Sequence, residues 1–281
     1  MKSFVAEISK TACYKIYWFG RKPVILYKSH RFIVPIIWLA HKGKIIPKDI
    51  NLFRLDLHYD AKAPSNIAEI AQAFKKLKTF KEVIEFSDTK LSRNNDDWLL
   101  FLLHIGFLKD SPVLGASKGN VNPGEYIDPC GKKHDLKTIC ELKGAFGHQG
   151  VLVDQEDVAN KRLWETLDWK VKPGMGFEMG TSPILFDVDL DHFTFEYRSI
   201  PYPWTRTIYN TEFSSRGEER VGGMSIKVFV QRLIERSPFI TIAMEPGCCG
   251  GVNASKNILN NFNKDFLHGS IKDREFERIL Q

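Results

Sequence analysis

Hydrophobic residues cluster into short runs rich in β-formers: PVILYKSH (23–30), INLFRLDLHYD (50–60), SPILFDVDLD (182–191) and PFITIAMEPG (238–247). Between them the apolar positions spread to a helical period, in NIAEIAQAFKKLKTFKEVIEF (66–86), DWLLFLLHIGFL (97–108) and MSIKVFVQRLIER (224–236). Asn66 is a candidate N-cap for the first of these, and Ser237-Pro238 stops the last. From 252 onward, Ile258, Leu259, Phe262 and Phe266 recur at helical spacing and predict a stripe packed on the core. Runs alternating with helices predict βα units, hence an α/β fold with three layers, α/β/α, around a mostly parallel central sheet. Arg54 interrupts its run, which predicts a strand near an edge or open on one side. The segment 109–180 is rich in Gly, Pro and Lys and reads as an insertion or elaborated loop layer on a single domain spanning 1–281.

The runs share a second pattern: each ends in an acidic or metal-competent residue. The first ends at His30, the second at Asp56, His58 and Asp60, the third at Asp187, Asp189 and Asp191, the fourth at Glu245. In an open parallel sheet the carboxyl ends of the strands lie along one edge, where ligands bind. Side chains at i, i+2 and i+4 of an extended segment face the same way, so Asp56, His58 and Asp60 can converge, as can Asp187 and Asp189. Gathering that many carboxylates out of water requires a cation to neutralise them.

Taken singly, each signal has an ordinary reading. A lone His30 is more often a hydrogen-bonded core or surface histidine than a ligand, and Glu245 before Pro246 can be a turn residue. Asp187, Asp189 and Asp191 suggest a calcium loop, but His192 stands where glycine is required and Arg198 where glutamate is required. Cys130, His134 and Cys140 offer zinc ligands at irregular spacing without an obvious fourth. The adjacent Cys248 and Cys249 suit packing or a redox-sensitive rim better than catalysis. There is no G-x-S-x-G elbow and no phosphate-binding Walker loop.

Composition changes this picture little. The 281 residues are 43% hydrophobic and 26% charged, with a net charge of +6, which fits an ordinary globular protein with a substantial core. The densest basic patch, QAFKKLKTFK at 72–81, reads as a solvated helix face rather than a nucleic-acid surface, although a basic exterior can attract an acidic partner peptide. FIVPIIWLA at 32–40 is too short to span a bilayer. No secretory h-region is apparent, and the five cysteines show no framework spacing; a reducing, cytoplasmic setting is expected.

The order of the motifs resembles the arginase/deacetylase superfamily. Its ureohydrolases carry an early histidine, then D-A-H-x-D, then S-x-D-x-D, then a late glutamate. Here His30 is followed by Asp56-Leu57-His58-Tyr59-Asp60, then Phe186-Asp187-Val188-Asp189, then Glu245, covering residues 30–247. SHRFIVPIIWLA, FDVDLDHF and MEPGCCGG look closest to the peptide arginase branch, which converts arginine side chains of peptides to ornithine and releases urea. The resemblance implies an arginase-like fold and two metal ions. His30, Asp56, Asp60 and Asp187 would hold one; Asp56, His58, Asp187 and Asp189 the other, with Asp56 and Asp187 bridging. Asp60 would also touch the attacking water, and Glu245 would bind the substrate guanidinium. Hard carboxylates with a few imidazoles suit Mn²⁺ over a thiolate-loving ion, with Zn²⁺, Fe²⁺ and Co²⁺ as the other options. The chain departs from the family in reading YKSHR where a glycine-rich context surrounds the first histidine, and in lacking its proton-shuttle histidine. His104 and His192 are the nearest substitutes. The loops that grip a free amino acid are also not recognisable, which favours an arginine-containing peptide as substrate. The rival readings are a one-metal deacetylase-like C–N hydrolase on the same fold and a non-catalytic, metal-stabilised binding protein.

Overall fold

The computed structural model describes residues 1–114, 125–136, 138–140, 170–172, 176–178, 183–197, 200–213, 220–221 and 224–272. Its centre is a seven-stranded sheet. The strands are β1 (Tyr14–Phe19), β2 (Lys22–Tyr27), β3 (Leu52–Leu55), β4 (Val113–Leu114), β5 (Thr138–Cys140), β6 (Leu185–Asp189) and β7 (Ile240–Ala243). Across the sheet they run in the order β1-β2-β7-β6-β3-β4-β5. Only β1 is antiparallel; it returns on β2 through a tight turn in which Gly20 takes φ +59°. The other neighbours pair in parallel.

Strand alternation divides the core between the two faces of the sheet. On one face Val24, Leu26, Phe53, Leu55, Phe186, Val188, Ile240 and Ile242 pack on α7 (Ile226–Arg236) and α8 (Val252–Phe266). On the other, Ile25, Tyr27, Leu52, Leu185 and Ala243 pack on α1 (Lys2–Ile8), α2 (Ile33–Lys42), α3 (Ile67–Lys75), α4 (Phe80–Lys90) and α5 (Trp98–His104). A short α6 (Arg206–Glu212) precedes α7. The protein is therefore a mixed α/β structure with a mostly parallel central sheet flanked by helices.

Local chemistry explains the element ends. In α7, Ile226, Phe229, Val230, Leu233 and Ile234 form one buried face, each worth about 1.5–3 kcal/mol when fully removed from water. The Ser225 hydroxyl accepts from Val228 N–H at its start, and Ser237 closes it. Ile258, Leu259, Phe262 and Phe266 are buried along α8. The periodic stretch 66–86 is broken into α3 and α4, because Thr79 and Glu82 form a reciprocal capping box that starts a new helix. Asn66 does sit at the N-cap position of α3, without a side-chain hydrogen bond.

Two expectations are corrected. β3 is not an edge: β6 and β4 flank it, and Arg54 within it is almost fully buried. It is tolerated there because its hydrogens reach Asp56, the Tyr59 carbonyl and the Ser111 hydroxyl. Nor is 109–180 wholly a loop layer. β4 and β5 lengthen the sheet, a hairpin pairs Glu125–Ile127 with Lys133–Asp135, and much of the rest lies outside the described residues. Among the described residues no helix is long and apolar enough to cross a membrane.

Candidate metal centre

β2, β7, β6 and β3 are mutually parallel, so Tyr27, Ala243, Asp189 and Leu55 end along one edge. Each chain then turns into a short polar segment. After β2, His30 opens a 3₁₀ turn, His30–Phe32; after β6, another covers Leu190–Phe193. After β3 the chain leaves strand geometry at Asp56, and Asp60 adopts φ +49°. After β7, Glu245 adopts φ +36°, and its carbonyl accepts from Cys248 and Cys249 N–H. Left-handed backbone costs an aspartate little but a glutamate more, and such residues concentrate at functional sites.

Two sets of ligand atoms result. His30, Asp56, Asp60 and Asp189 each offer one atom, all within 4.8 Å of one another; Asp56, His58 and Asp191 do the same. Asp56 belongs to both. His30 Nδ1 lies 2.9 Å from Asp60 Oδ2, 2.9 Å from Asp189 Oδ2 and 3.8 Å from Asp56 Oδ2. Despite this proximity, Nδ1 is fully buried and makes no hydrogen bond of acceptable geometry. A buried imidazole nitrogen facing converging carboxylate oxygens off its bonding axis is what a cation pole requires, and mixed oxygen and imidazole donors suit a hard or borderline divalent ion. This buried His/Asp cluster could hold a metal ion.

Side chains outside the cluster orient it. His30 Nε2 lies 2.6 Å from Asp187 Oδ2, and Asp187 Oδ1 accepts from Tyr27 and Thr241 hydroxyls at 2.8 and 2.6 Å. The Trp98 indole N–H donates to Asp60 Oδ2 at 2.8 Å. Arg54 Nη1 donates to Asp56 Oδ2 at 2.5 Å, while His58 N–H donates to Asp56 Oδ1 at 2.7 Å. His58 Nδ1 meets Asp191 Oδ2 at 2.8 Å.

The electrostatics are those of a crowded, buried acidic site. Burial pushes the Asp56 carboxyl well above the ordinary range, repulsion from Asp60 adds to this, and Arg54 opposes it. Burial and repulsion from Asp191 and Glu245 likewise raise Asp189. Burial also acts upward on Asp60, but contact with His30, the Arg54 charge and the Trp98 hydrogen bond outweigh it and hold Asp60 low. Burial disfavours charged His30, yet Asp187 and Asp189 raise it well above the usual imidazole value. For His58 the Asp191 hydrogen bond outweighs burial and lifts it to about 10. Burial lifts Glu245 to about 7 despite the nearby His30.

The structure thus brings together His30, Asp56, His58, Asp60 and Asp189, with Glu245 alongside. It places Asp187, expected to bridge, in neither set, because its carboxylate is committed to Tyr27, Thr241 and the far nitrogen of His30. Asp191 takes part instead. Sheet register gives the reason: Asp187 pairs with Arg54 inside the sheet, whereas Asp191 lies in the 3₁₀ turn beyond β6 and meets His58 Nδ1 there. Matching triplet to triplet by strand-end distance would have found Asp191; counting motif letters did not. Neither substitute proton shuttle joins the cluster. His192 is buried among Phe193, Trp204 and Phe213, and burial lowers it to about 4. His104 lies at the far end of α5 from Trp98, about 9 Å along the axis, beside Tyr126. His134 is tied to the Lys109 carbonyl and to Asp128 and groups with no metal-competent set among the described residues; the Cys140 side chain lies outside them. Cys248 is exposed, whereas Cys249 is buried and donates to the Met244 carbonyl.

Neither a scan against protein-family models nor a search of curated proteins finds a match to this chain.

Proposed function

We propose that the chain is a metal-dependent hydrolase of guanidinium groups, using two Mn²⁺ ions to convert arginine residues of a peptide to ornithine with release of urea. One observation carries the reading: two ligand sets share Asp56, and a separately anchored carboxylate, Glu245, stands beside them. His30, Asp56, Asp60 and Asp189 would hold one ion; Asp56, His58 and Asp191 the second. Bound there, the ions would supply a water activated near neutral pH. Asp60, held by the Trp98 N–H, would also orient that water. Glu245 receives the planar guanidinium, whose paired N–H groups match a carboxylate. Asp60 would pass a proton to the leaving amine.

A one-metal deacetylase-like hydrolase is the second reading. Arg54 favours it, because a cation already neutralises the shared Asp56. The test is urea release by the full chain loaded with Mn²⁺, on a varied set of arginine peptides, with bound metal counted. Urea and a count near two are expected. A folded, loaded sample that releases none across the set removes the guanidine reading, and a count near one moves the assignment to the rival.

A further inference from the structure

Glu245 is almost fully buried, yet none of its anchors comes from the ligand sets' side chains. Its Oε1 accepts from the backbone N–H of His30 at 2.6 Å and from Asn95 Nδ2 at 2.8 Å. Asn95 Oδ1 in turn accepts from Arg31 Nη1 at 3.0 Å, and Arg31 Nη2 donates to Asp88 Oδ1 at 2.8 Å. A relay therefore runs from a half-exposed carboxylate on α4, through a buried guanidinium and a buried amide, to Glu245. We propose that Asn95 is a positioning residue that fixes Glu245 for a cationic substrate, with Arg31 as the link that fixes Asn95. The inference rests on Glu245 being the carboxylate that receives the guanidinium.

Three features single out asparagine. First, position 95 has φ +58°, which glycine, asparagine and aspartate adopt at little cost. Second, the position needs a donor toward Glu245 and an acceptor toward Arg31, and a carboxamide supplies both. Third, aspartate would fit the backbone but place a second acceptor against Glu245. Both N–H donors converge on Oε1, which fixes the plane that the carboxylate offers to an incoming N–H pair. The Cys248 thiol is also hydrogen-bonded to Glu245, and a thiol is a weak donor that a guanidinium displaces.

The test uses the full chain loaded with Mn²⁺, comparing wild type with Asn95→Asp and Asn95→Gly, both of which keep the left-handed backbone. Losing a hydrogen bond to a charged group weakens binding about tenfold or more. The expected result is therefore a KM for an arginine peptide raised by about that factor in both variants, with kcat changed far less and bound metal unchanged. Arg31→Met should show the same split at smaller size. Unchanged KM with a lowered melting temperature would reduce Asn95 to a structural residue and overturn the proposal. If the wild type releases no urea, binding of agmatine by calorimetry decides. Agmatine binding that weakens in Asn95→Asp upholds the positioning role while the hydrolase reading falls; no agmatine binding by the wild type ends both.

Discussion

The chain after β3 and the chain through β6 carry the same alternation, D-x-H-x-D and D-x-D-x-D, yet they are used differently. Asp56, His58 and Asp60 all lie beyond the last strand residue, Leu55, and all reach the cluster. In β6 the strand continues to Asp189, so Asp187 remains inside the sheet opposite Arg54 and Thr241. Depth along the strand, not residue type, separates a metal-competent aspartate from a structural one. Asp187 shows what the deeper position does: it fixes the imidazole that faces the cluster, a role that outer partners of metal-binding histidines commonly fill.

The sharpest way to break this comparison is to remove one carboxylate from each triplet. Asp56→Asn strips the residue shared by both sets, and bound metal in protein purified without chelators should fall to near zero. Asp187→Asn should retain metal, with affinity weakened about 10- to 100-fold because His30 loses its guide. Equal loss in both variants would show that depth does not divide the roles.

The next largest effect concerns the cation inside β3. Arg54→Met leaves Asp56 buried without its nearest positive partner, which should lower the stability of metal-free protein by about 3–5 kcal/mol in urea denaturation. Loading with Mn²⁺ should recover part of that loss, since the ion replaces the missing charge. A variant as stable as wild type without metal would mean that Asp56 is protonated there and Arg54 does little.

The smallest effect is a pH dependence at the second triplet. His58 titrates near 10 in the fold against an ordinary 6.5, so the folded state holds its proton more tightly. The resulting stabilisation is complete below pH 6.5 and is lost as pH rises through 10. Metal-free protein should therefore melt at falling temperature across that window, and His58→Asn should flatten the slope. Metal binding in the same range should release protons, because the ion competes for the same ring.

Most of the architecture was legible because it follows from period. The apolar runs became β2, β3, β6 and β7, and the apolar stripes became α7 and α8. What the period could not show was contributed by pairing. β1 reads as a polar, aromatic stretch until Gly20 is seen to turn it back onto β2, and Arg54 looked like an edge signal until Asp56 and Ser111 were found around it. The same holds in the site. His30, Asp56, His58, Asp60 and Asp189 could be picked from strand ends, but choosing Asp191 over Asp187 required knowing where β6 ends, at Asp189, which the motif letters do not contain. Asn95 sits in a loop between helices with no motif around it, and only its contacts reveal it.

The buried guanidinium of Arg54 sets a condition on any chemistry at this edge. A centre that cuts guanidinium groups would live beside one of its own and must leave it intact. The packing encloses it: Nε, Nη1 and Nη2 are all bonded to the protein, and the flat group lies 5.6 Å over the Trp98 ring. On the proposed chemistry a substrate guanidinium would have to arrive with its carbon open to water, whereas Arg54 presents no open face. Discrimination between self and substrate would then come from enclosure, before any recognition of sequence.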